Sequence, residues 1–319
     1  MESPEFDISV IIPSYNRCAI LERCLAALIT QTMPAKAYEI VVCDDGSADQ
    51  TRAITESFAA KAACSVVYLF QPNAGANAAR NRGVTSAKGR LLLIINDDTI
   101  AVPDLLRQHK LSHDQYPEEN IAILGRMTIS PEVPPSFFAA LHLDADYDQW
   151  QGKKELDWRA FYTCNVSVKR SFLLKYGLFE EGIRYHEDLE LSERLSHHGL
   201  KIIYNPAALG YHYHHLEETE YLNAAKKDGK ALARWYLKFP HLEKVLVPFG
   251  FHLTSDPMKR AYYILGDLVI NRYSRPLLLK LARWSIHKNG DLAKFLYWKL
   301  YASFRREAIN EELKATSSR

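Results

Sequence analysis

Two acidic residues follow an apolar run at residues 91–98, where the sequence reads LLLIINDD. Adjacent carboxylates repel each other, and a buried charge is costly unless another group pairs with it. A solvent-exposed turn would explain Asp97 and Asp98 simply. A divalent cation would explain them as well, because Mg²⁺ and Mn²⁺ prefer carboxylate oxygens and bridge to the oxygens of a bound diphosphate. These residues alone leave both interpretations open.

A second acidic pair, Glu187 and Asp188, begins a helical pattern. Acids at this position stabilise the positive end of the helix dipole, which is a purely structural role. His186 and Glu190 extend the cluster beyond what the dipole explains. An enzyme that transfers a group onto a hydroxyl needs a carboxylate base within hydrogen-bond reach of that hydroxyl. The pair is therefore a candidate general base, with helix stabilisation as the alternative.

The segment YHYHH contains His212 and His214, which alternation places on one face of an extended chain. Such a pair can bind a metal, although a histidine of this kind is also a common hydrogen-bonded structural residue. Tyr15 can stack on a nucleobase or pack in the core. Arg80 and Arg82 can contact phosphates or solvent, so none of these three residues is informative on its own.

The first 125 residues alternate short apolar runs with helical patterns, which predicts a mostly parallel sheet covered by helices on both faces. Strands are predicted at 8–13, 39–43, 65–70 and 90–95. Helices are predicted between them: one carrying Leu21, Leu25 and Leu28, one opened by a capping box of Ser47 and Gln50, and one over 76–88.

Ligands bind at the carboxyl ends of the strands in such sheets. The unusual polar residues lie at these ends, in the segments Pro13–Arg17, Asp44–Asp45 and Asn96–Asp98. The spacing therefore predicts one acidic pocket rim built from separate loops. The sequence contains no GxGxxG motif, which disfavours a dinucleotide-binding site.

The chain has 319 residues, of which 47% are hydrophobic and 24% are charged, as in ordinary globular proteins. No apolar run approaches the ~18 residues of a membrane helix, and the acidic start MESPEFD does not resemble a signal peptide. The five cysteines form no CxxC pair, which fits a reducing compartment. We therefore expect a cytoplasmic protein.

Residues 126–160 follow an irregular pattern that is typical of a functional or mobile loop. Order returns over 161–215, with a strand at 161–168, helices at 170–177 and 186–199, and an extended segment from 201. Helical patterns dominate from 217 onwards. We expect two domains: residues 1–216, divided near residue 125 into nucleotide-binding and acceptor halves, and a helical region over 217–319.

The last 49 residues carry a charge of +7, whereas the first 270 carry −5. Within this tail, Leu292, Leu296, Leu300 and Phe304 recur every four residues among basic side chains. One interpretation is an amphipathic helix packed on the rest of the protein. Another is a surface helix on anionic lipid, near a lipid-linked acceptor. Self-association through the same helices is a third alternative.

Five segments, in order, resemble glycosyltransferase family 2, whose nucleotide-sugar-dependent members have the GT-A fold. They are SVIIPSYNR, VVCDDGSADQT, NAGANAARNRGVTSAKGRLLLIINDD, TCNVSVKRS and GLFEEGIRYHEDLELSERLSHHGLKIIYNPAALGYH, which together span about residues 8–215. The resemblance implies an α/β fold with a Rossmann-like, mostly parallel sheet flanked by helices. It does not cover the last hundred residues, for which we expect a helical extension.

The resemblance also implies residue roles. Pro13 and Tyr15 would line the nucleobase pocket, and Asp44 or Asp45 would hold the uracil or ribose. Arg17 and Arg80 would bind the donor near its base or diphosphate. Asn96, Asp97 and Asp98 occupy the DxD position, where Asp98 would contact Mn²⁺ or Mg²⁺ and Asp97 the ribose region. His212 would complete the metal site. Asp188 would be the general base, with Glu187 beside it.

The first residue of the DxD position is Asn96, which keeps an oxygen acceptor but lacks the charge of an aspartate. The expected reaction is an inverting sugar transfer from a UDP-sugar to a glycan or lipid-linked acceptor. A non-catalytic nucleotide-sugar-binding module is the alternative that Asn96 favours and the Glu187–Asp188 pair disfavours. A hydrolase using Asp98 and Asp188 would leave the base-binding segments without a purpose. We expect no nucleic-acid partner.

Overall fold

The computed structural model describes residues 4–253 and 255–317. Residues 1–3 of the acidic N-terminus and Arg319 of the basic tail lie outside this range. The chain divides into two compact units. Unit 1 comprises the described residues up to Pro135 together with Leu143–His215, and unit 2 comprises Ser136–His142 with the described residues from Leu216. No helix of the described segments is long and apolar enough to cross a membrane.

One mixed sheet organises unit 1. Its nine strands within the described residues are β1 (Phe6–Ser14), β2 (Tyr38–Asp44), β3 (Ser65–Phe70), β4 (Gly89–Ile95), β5 (Thr99–Ala101), β6 (Ile121–Ile129), β7 (Glu155–Leu156), β8 (Asn165–Lys169) and β9 (Lys201–His212). The strand order is β3-β2-β1-β4-β8-β6-β9-β5, and β7 pairs with β9. Strands β1 to β4 are parallel, whereas β8 runs antiparallel to both β4 and β6.

The helices up to residue 196, in chain order, are α1 (Cys18–Leu28), α2 (Thr51–Lys61), α3 (Ala76–Ser86), α4 (Leu105–Gln115), α5 (Phe137–Ala139), α6 (Ala145–Asp148), α7 (Arg170–Tyr176) and α8 (Glu187–Ser196). Of these, α5 belongs to unit 2 and the others to unit 1. Short 3₁₀ segments span Ala35–Ala37 and Trp158–Ala160, and a π-helical turn spans Ala140–Asp144. The predicted α/β architecture is confirmed.

Both faces of the parallel strands β1, β2 and β4 are buried. Val10 and Ile12 of β1 belong to one apolar cluster, which includes Leu25 of α1. Ile11, between them, belongs to a cluster on the other face that includes Leu191 of α8. Because successive strand residues point to opposite faces, a strand covered on both sides must be apolar throughout. This explains why β1, β2 and β4 show continuous apolar runs and not alternation.

Two local predictions were wrong. The Ser47–Gln50 capping box is absent, because Ser47 Oγ accepts the N–H of Asn16 and α2 begins only at Thr51. Asp49 Oδ1 instead accepts the N–H and hydroxyl of Thr51. The strand predicted at 161–168 is shorter and later, since β8 spans Asn165–Lys169.

Unit 2 is helical, as predicted for the region after residue 217. Its remaining helices are α9 (Glu218–Lys238), α10 (Glu243–Leu246), α11 (Pro257–Val269), α12 (Arg275–Ile286) and α13 (Gly290–Ser317), with 3₁₀ turns at Pro240–Leu242 and Val247–Phe249. Helix α13 packs along α9 and α12, and Leu300 is fully buried in a cluster with Tyr221 and Tyr297. The approach is close at Gly229, where an added Cβ would clash with the Arg305 carbonyl oxygen.

Candidate functional site

The loops after β1, β2 and β4 surround a cavity of about 280 Å³ in unit 1. Parallel pairing of β1 with β2 and with β4 places the carboxyl ends of these strands side by side. The cavity lining includes seven of the residues singled out from the sequence: Pro13, Tyr15, Arg17, Asp45, Arg80, Asn96 and Asp97. The structure therefore brings the three separate loops to one rim.

The loop after β1 is held in place by Asn16, whose φ is +53°. The N–H of Asn16 donates to Ser47 Oγ, and its side-chain Oδ1 accepts the N–H of Ala48. These two bonds tie the loops after β1 and β2 together. Tyr15 is thereby fixed at the cavity with 47% of its surface exposed, so its ring is accessible for stacking on a planar ligand.

Arg17 resolves the repulsion between Asp97 and Asp98. Its Nη1 lies 2.6 Å from Asp97 Oδ1, and its Nη2 lies 2.8 Å from Asp98 Oδ2. Ser14 Oγ donates to the second oxygen of Asp97 at 2.9 Å. Both acidic side chains are buried, so the guanidinium neutralises charge that water does not reach.

The two carboxyl groups differ in their pKa. Burial raises the pKa of Asp97 to about 6, because Arg17 offsets only part of the desolvation and the charge of Asp98 adds to it. Burial also acts to raise the pKa of Asp98, but His212 and Arg17 outweigh it and hold this pKa well below its usual range. Asp98 therefore carries the more firmly ionised carboxylate of the pair.

His212 reaches Asp98 through the pairing of β5 with β9, which sets Thr99 opposite His212. The imidazole Nε2 lies 3.5 Å from Asp98 Oδ2. Asp98 Oδ1 is buried and has no hydrogen-bond partner among the described residues. An unpaired buried carboxylate oxygen beside a histidine nitrogen is a donor set that fits a divalent cation.

The protein supplies few ligands for such a cation. Within residues 4–253 and 255–317, no group of three or more His, Cys, Asp or Glu side chains is arranged to hold a metal. Mg²⁺ and Mn²⁺ at diphosphate sites commonly use one or two carboxylates and take further ligands from the substrate and water. Asp98 and His212 fit such a substrate-bridged cation and do not form a closed metal cage.

Asn96 lies between β4 and the two acids. It is one of the residues that line the cavity, and its backbone carbonyl accepts the N–H of Thr99, which closes the turn into β5. Asn96 therefore lies at the cavity, whereas Asp98 and His212 lie outside its lining. Asn96 offers a neutral oxygen and an N–H donor to a ligand there.

Asp44 and Asp45 differ in position. Asp44 accepts the N–H of Ser47 and the hydroxyl of Tyr68, and it does not line the cavity. Asp45 does line it, and its two oxygens accept three hydrogen bonds, which come from the side chain of Gln71 and the backbone N–H groups of Ala74 and Gly75. Asp45 is thus the member of the pair that can also contact a ligand.

Arg80 connects the cavity with the second acidic pair. Its Nη1 donates to Glu187 Oε1 at 2.8 Å and to Asn77 Oδ1 at 3.0 Å. Its Nε is buried without a hydrogen-bond partner in the described part of the chain, which leaves one donor for a ligand. Glu187 and Asp188 begin α8, so the predicted stabilisation of the helix dipole applies as well.

Asp188 has an unusual environment. Burial and the adjacent charge of Glu187 raise the pKa of its carboxyl to about 6. His186, which precedes the pair, has a φ of +61° and is one of two non-glycine residues with positive φ among those described; the other is Asn16. Backbone conformations of this kind cluster at functional sites, and here both flank candidate residues.

Two residues of the site were given no chemical role from the sequence, although Ser14 lies in the segment Pro13–Arg17. Ser14, the last residue of β1, donates to Asp97, and Asn77 accepts from Arg80. Asn77 precedes Arg80 by three residues, which is one helical turn, so the spacing on α3 was a usable signal. The Ser14–Asp97 bond joins residues 83 positions apart and had no local signal.

Residues 9–165 match the family model described as "Glycosyl transferase family 2". The match covers 157 of the 319 residues, and over this stretch the chain is similar to glycosyl transferase family 2. The match includes the loops after β1, β2 and β4, and it ends at Asn165, before Glu187 and Asp188. The resemblance drawn from the five sequence segments is thus confirmed.

The chain is similar to the validoxylamine A glucosyltransferase of Streptomyces hygroscopicus subsp. jinggangensis (strain 5008), with 27% identity over 252 residues. The match covers 68% of this chain and 58% of that relative's own length.

Two solved structures show the same fold. One is the mannosyltransferase PcManGT from Pyrobaculum calidifontis in complex with GDP-Man and Mn²⁺, with a TM-score of 0.61, 17% identity and coverage of 98% of this chain and 88% of that one. The other is S. aureus TarS 1–349 in complex with UDP, with a TM-score of 0.55, 17% identity and coverage of 98% and 92%. The predicted GT-A fold is confirmed.

Proposed function

We propose that this chain is an inverting glycosyltransferase that moves a sugar from a UDP-sugar to a hydroxyl of a glycan or lipid-linked acceptor. Its pathway would be the synthesis of a cell-surface polysaccharide or glycoconjugate. One observation carries the proposal: Arg80 lines the cavity and donates to Glu187 at 2.8 Å. The side chain of Arg80 therefore connects the cavity, which suits a nucleotide, with the carboxyl pair, which suits acid–base chemistry.

The donor would occupy the cavity in a defined order. Pro13 and Tyr15 would contact the nucleobase, because Tyr15 offers an exposed ring, and Asp45, supported by Asp44, would accept from the uracil or ribose. The diphosphate would reach Arg80, whose Nε is an unused donor. Asp97, Asn96 and Arg17 would bind the ribose and diphosphate between them.

Asp188 would accept the proton of the acceptor hydroxyl as that oxygen attacks the anomeric carbon from the side opposite the leaving group. A base is most effective when its pKa lies near the working pH, and burial beside Glu187 raises the pKa of Asp188 to about 6. Glu187 would have a positioning role beside this base, because its own carboxylate is held by Arg80.

Asp98 and His212 would hold a Mn²⁺ or Mg²⁺ ion together with donor oxygens. When bound, such a cation neutralises the charge that develops on the departing nucleoside diphosphate. Arg17 now pairs with Asp98 Oδ2, and the unpaired Asp98 Oδ1 is the oxygen left for a cation. The guanidinium of Arg17 supplies positive charge at the same place, so it adds to this neutralisation.

We also propose the following domain organisation. Residues 1–216 would form the catalytic domain, with the nucleotide-binding half over 1–125 and the acceptor half over 126–216, and residues 217–319 would form a helical region. The protein would be cytoplasmic and peripheral on the inner face of the plasma membrane, through contact of the basic C-terminal helices with anionic lipid. Self-association through these helices remains the competing hypothesis.

A donor screen tests the proposal. Ligand binding raises apparent stability, so UDP, GDP and dTDP sugars are compared by thermal shift with and without Mn²⁺, and release of the free nucleotide is then measured. We expect a shift and slow hydrolysis or transfer with a UDP-sugar. A shift without any turnover, with every acceptor tried, would favour the non-catalytic binding module that Asn96 suggests. No shift with any donor would overturn the proposal.

A further inference from the structure

Helix α11 turns its apolar side to solvent. Met258, Tyr262, Leu265, Leu268 and Val269 recur at helical spacing, and each is more than half exposed, up to 81% for Met258. No residue of α11 is buried. An amphipathic helix normally covers its apolar stripe against a core, so a stripe of this kind on the surface of unit 2 indicates a partner.

The next two helices extend this surface. Exposed apolar residues are Leu277 and Trp284 on α12, Tyr273 just before it, and Phe295 and Trp298 on α13. The three helices meet around a groove of about 690 Å³, whose lining includes Tyr262, Leu265, Val269, Leu277, Phe295 and Trp298. The three stripes therefore form one continuous surface within unit 2, which we call the apolar face.

Basic side chains are interleaved with the apolar face. Lys259, Arg260, Lys280, Lys288 and Lys294 are exposed, and no ion pair involves them among the described residues. In contrast, the arginines of unit 2 that lie nearer its core are used internally: Arg275 pairs with Glu307, Arg305 with Asp228 and Arg306 with Asp267. The helices that carry the apolar face, together with the turn between α12 and α13, therefore carry positive charge that no ion pair in the described part of the chain neutralises.

Lys299 sits inside the groove among aromatic rings. Its ammonium lies 5.0 Å from the ring centre of Trp298 and 5.4 Å from that of Phe295, and it donates to the hydroxyl of Tyr262 at 3.0 Å. These contacts are cation–π interactions, and they place a positive charge among the aromatic rings of the apolar groove.

We propose that the apolar face docks on an anionic lipid bilayer, with the rings and leucines of α11, α12 and α13 among the acyl chains and the lysines among the headgroups. This inference rests on the proposed membrane partner and names the surface that would contact it. Interfacial helices combine a basic polar side with Trp, Phe and Leu on the other, as here. A second copy of the same face would bring like charges together, which disfavours self-association.

Vesicle flotation of the full chain tests the proposal. Vesicles of phosphatidylcholine alone are compared with vesicles of phosphatidylcholine and phosphatidylglycerol in equal amounts. We expect flotation with the anionic vesicles and little with the neutral ones. The double variant Lys280→Gln and Lys294→Gln should bind about 30-fold more weakly, because each basic residue near an anionic surface contributes about fivefold. The matched control is Lys227→Gln with Lys230→Gln, on exposed positions of α9.

The apolar contribution is tested by Leu265→Ser with Leu277→Ser, which should weaken binding by at least ~10-fold. Leu237→Ser, at an exposed leucine of α9, is the control and should bind normally. Because both leucines are exposed, unfolding is not expected, and circular dichroism verifies this.

Absent flotation, or flotation that neither double variant reduces, would overturn the proposal. A dimer in light scattering that Leu265→Ser with Leu277→Ser abolishes would also overturn it. Turnover of UDP-sugars by the unchanged chain is measured separately. Flotation with the anionic vesicles but no turnover would contradict the proposed function and leave the membrane proposal standing.

Discussion

Replacing Arg17 by methionine should destabilise unit 1, and the loss should grow with pH. Arg17 contacts Asp97 at 2.6 Å and Asp98 at 2.8 Å, and both acidic side chains are less than a tenth exposed. Methionine keeps the length of the stem and removes the charge. The variant therefore leaves two neighbouring carboxylates without the cation that neutralises them.

The magnitude follows from the exposure of the partners. Removing one member of a fully buried ion pair costs about 3–5 kcal/mol. Because the Arg17 side chain is 41% exposed, water screens part of this interaction, and we expect a loss of about 1–3 kcal/mol near neutral pH. Arg23→Met is the matched control, since Arg23 pairs with Glu132 where both side chains are more than half exposed. Its loss should stay below about 1 kcal/mol.

The pH dependence has a definite sign. Burial is the main reason that the folded-state pKa of Asp97 is raised to about 6. The contribution of Asp97 to stability is therefore fully present below its unfolded-state pKa and is lost as the pH rises through its folded-state pKa. Asp98 behaves oppositely: burial is outweighed by His212 and Arg17, its folded pKa is lowered, and its contribution is lost as pH falls. Without Arg17 both pKa values should rise.

Urea unfolding at about pH 5 and about pH 8 measures this, because Asp97 is mostly protonated at the first and ionised at the second. The loss of unfolding free energy in Arg17→Met should be clearly larger at the higher pH. In Arg23→Met it should be small and similar at both. Equal losses in the two variants, or a loss in Arg17→Met that is the same at both pH values, would refute the proposed role of Arg17.

Two further predictions concern the donor site. Tyr15→Ala should weaken UDP binding by about 5- to 150-fold, the range expected when one base loses an aromatic stacking partner, whereas Phe70→Ala, an exposed aromatic on β3, should bind normally in calorimetry. Binding that is unchanged in Tyr15→Ala would exclude stacking on this ring. His212→Ala should abolish the extra thermal shift that Mn²⁺ adds to UDP, with His197→Ala on an exposed histidine as the control. If the Mn²⁺ effect persists in His212→Ala, or if EDTA changes neither binding nor turnover, the assignment of a cation to Asp98 and His212 is wrong.

Much of unit 1 could be predicted because its parallel strands are buried on both faces. The predicted strands at 8–13, 39–43, 65–70 and 90–95 lie within β1 to β4 as observed. Short apolar runs that alternate with helical patterns are typical of parallel strands covered by helices, so the pattern predicted these elements. The convergence of their carboxyl ends then follows from the parallel arrangement alone, which is why the rim of the cavity was predictable.

The remaining features depend on contacts between distant residues. Arg17 and Asp97 are 80 positions apart in the sequence. The sequence therefore shows two adjacent acids but does not indicate which cation neutralises them. The capping box failed because Ser47 is engaged by Asn16 from another loop. The stripe of α11 was equally hidden, since helical spacing of apolar residues predicts burial and only the structure shows that this stripe faces solvent.

The most direct test of the account is the turnover of Asp188→Asn. Asparagine keeps the shape of the side chain but cannot accept the proton, so transfer from the UDP-sugar should fall by at least ~10²-fold while UDP binding in calorimetry is retained. Asp114→Asn, at a surface ion pair of α4, is the control and should turn over normally. Normal transfer by Asp188→Asn would contradict the assignment of Asp188 as the general base.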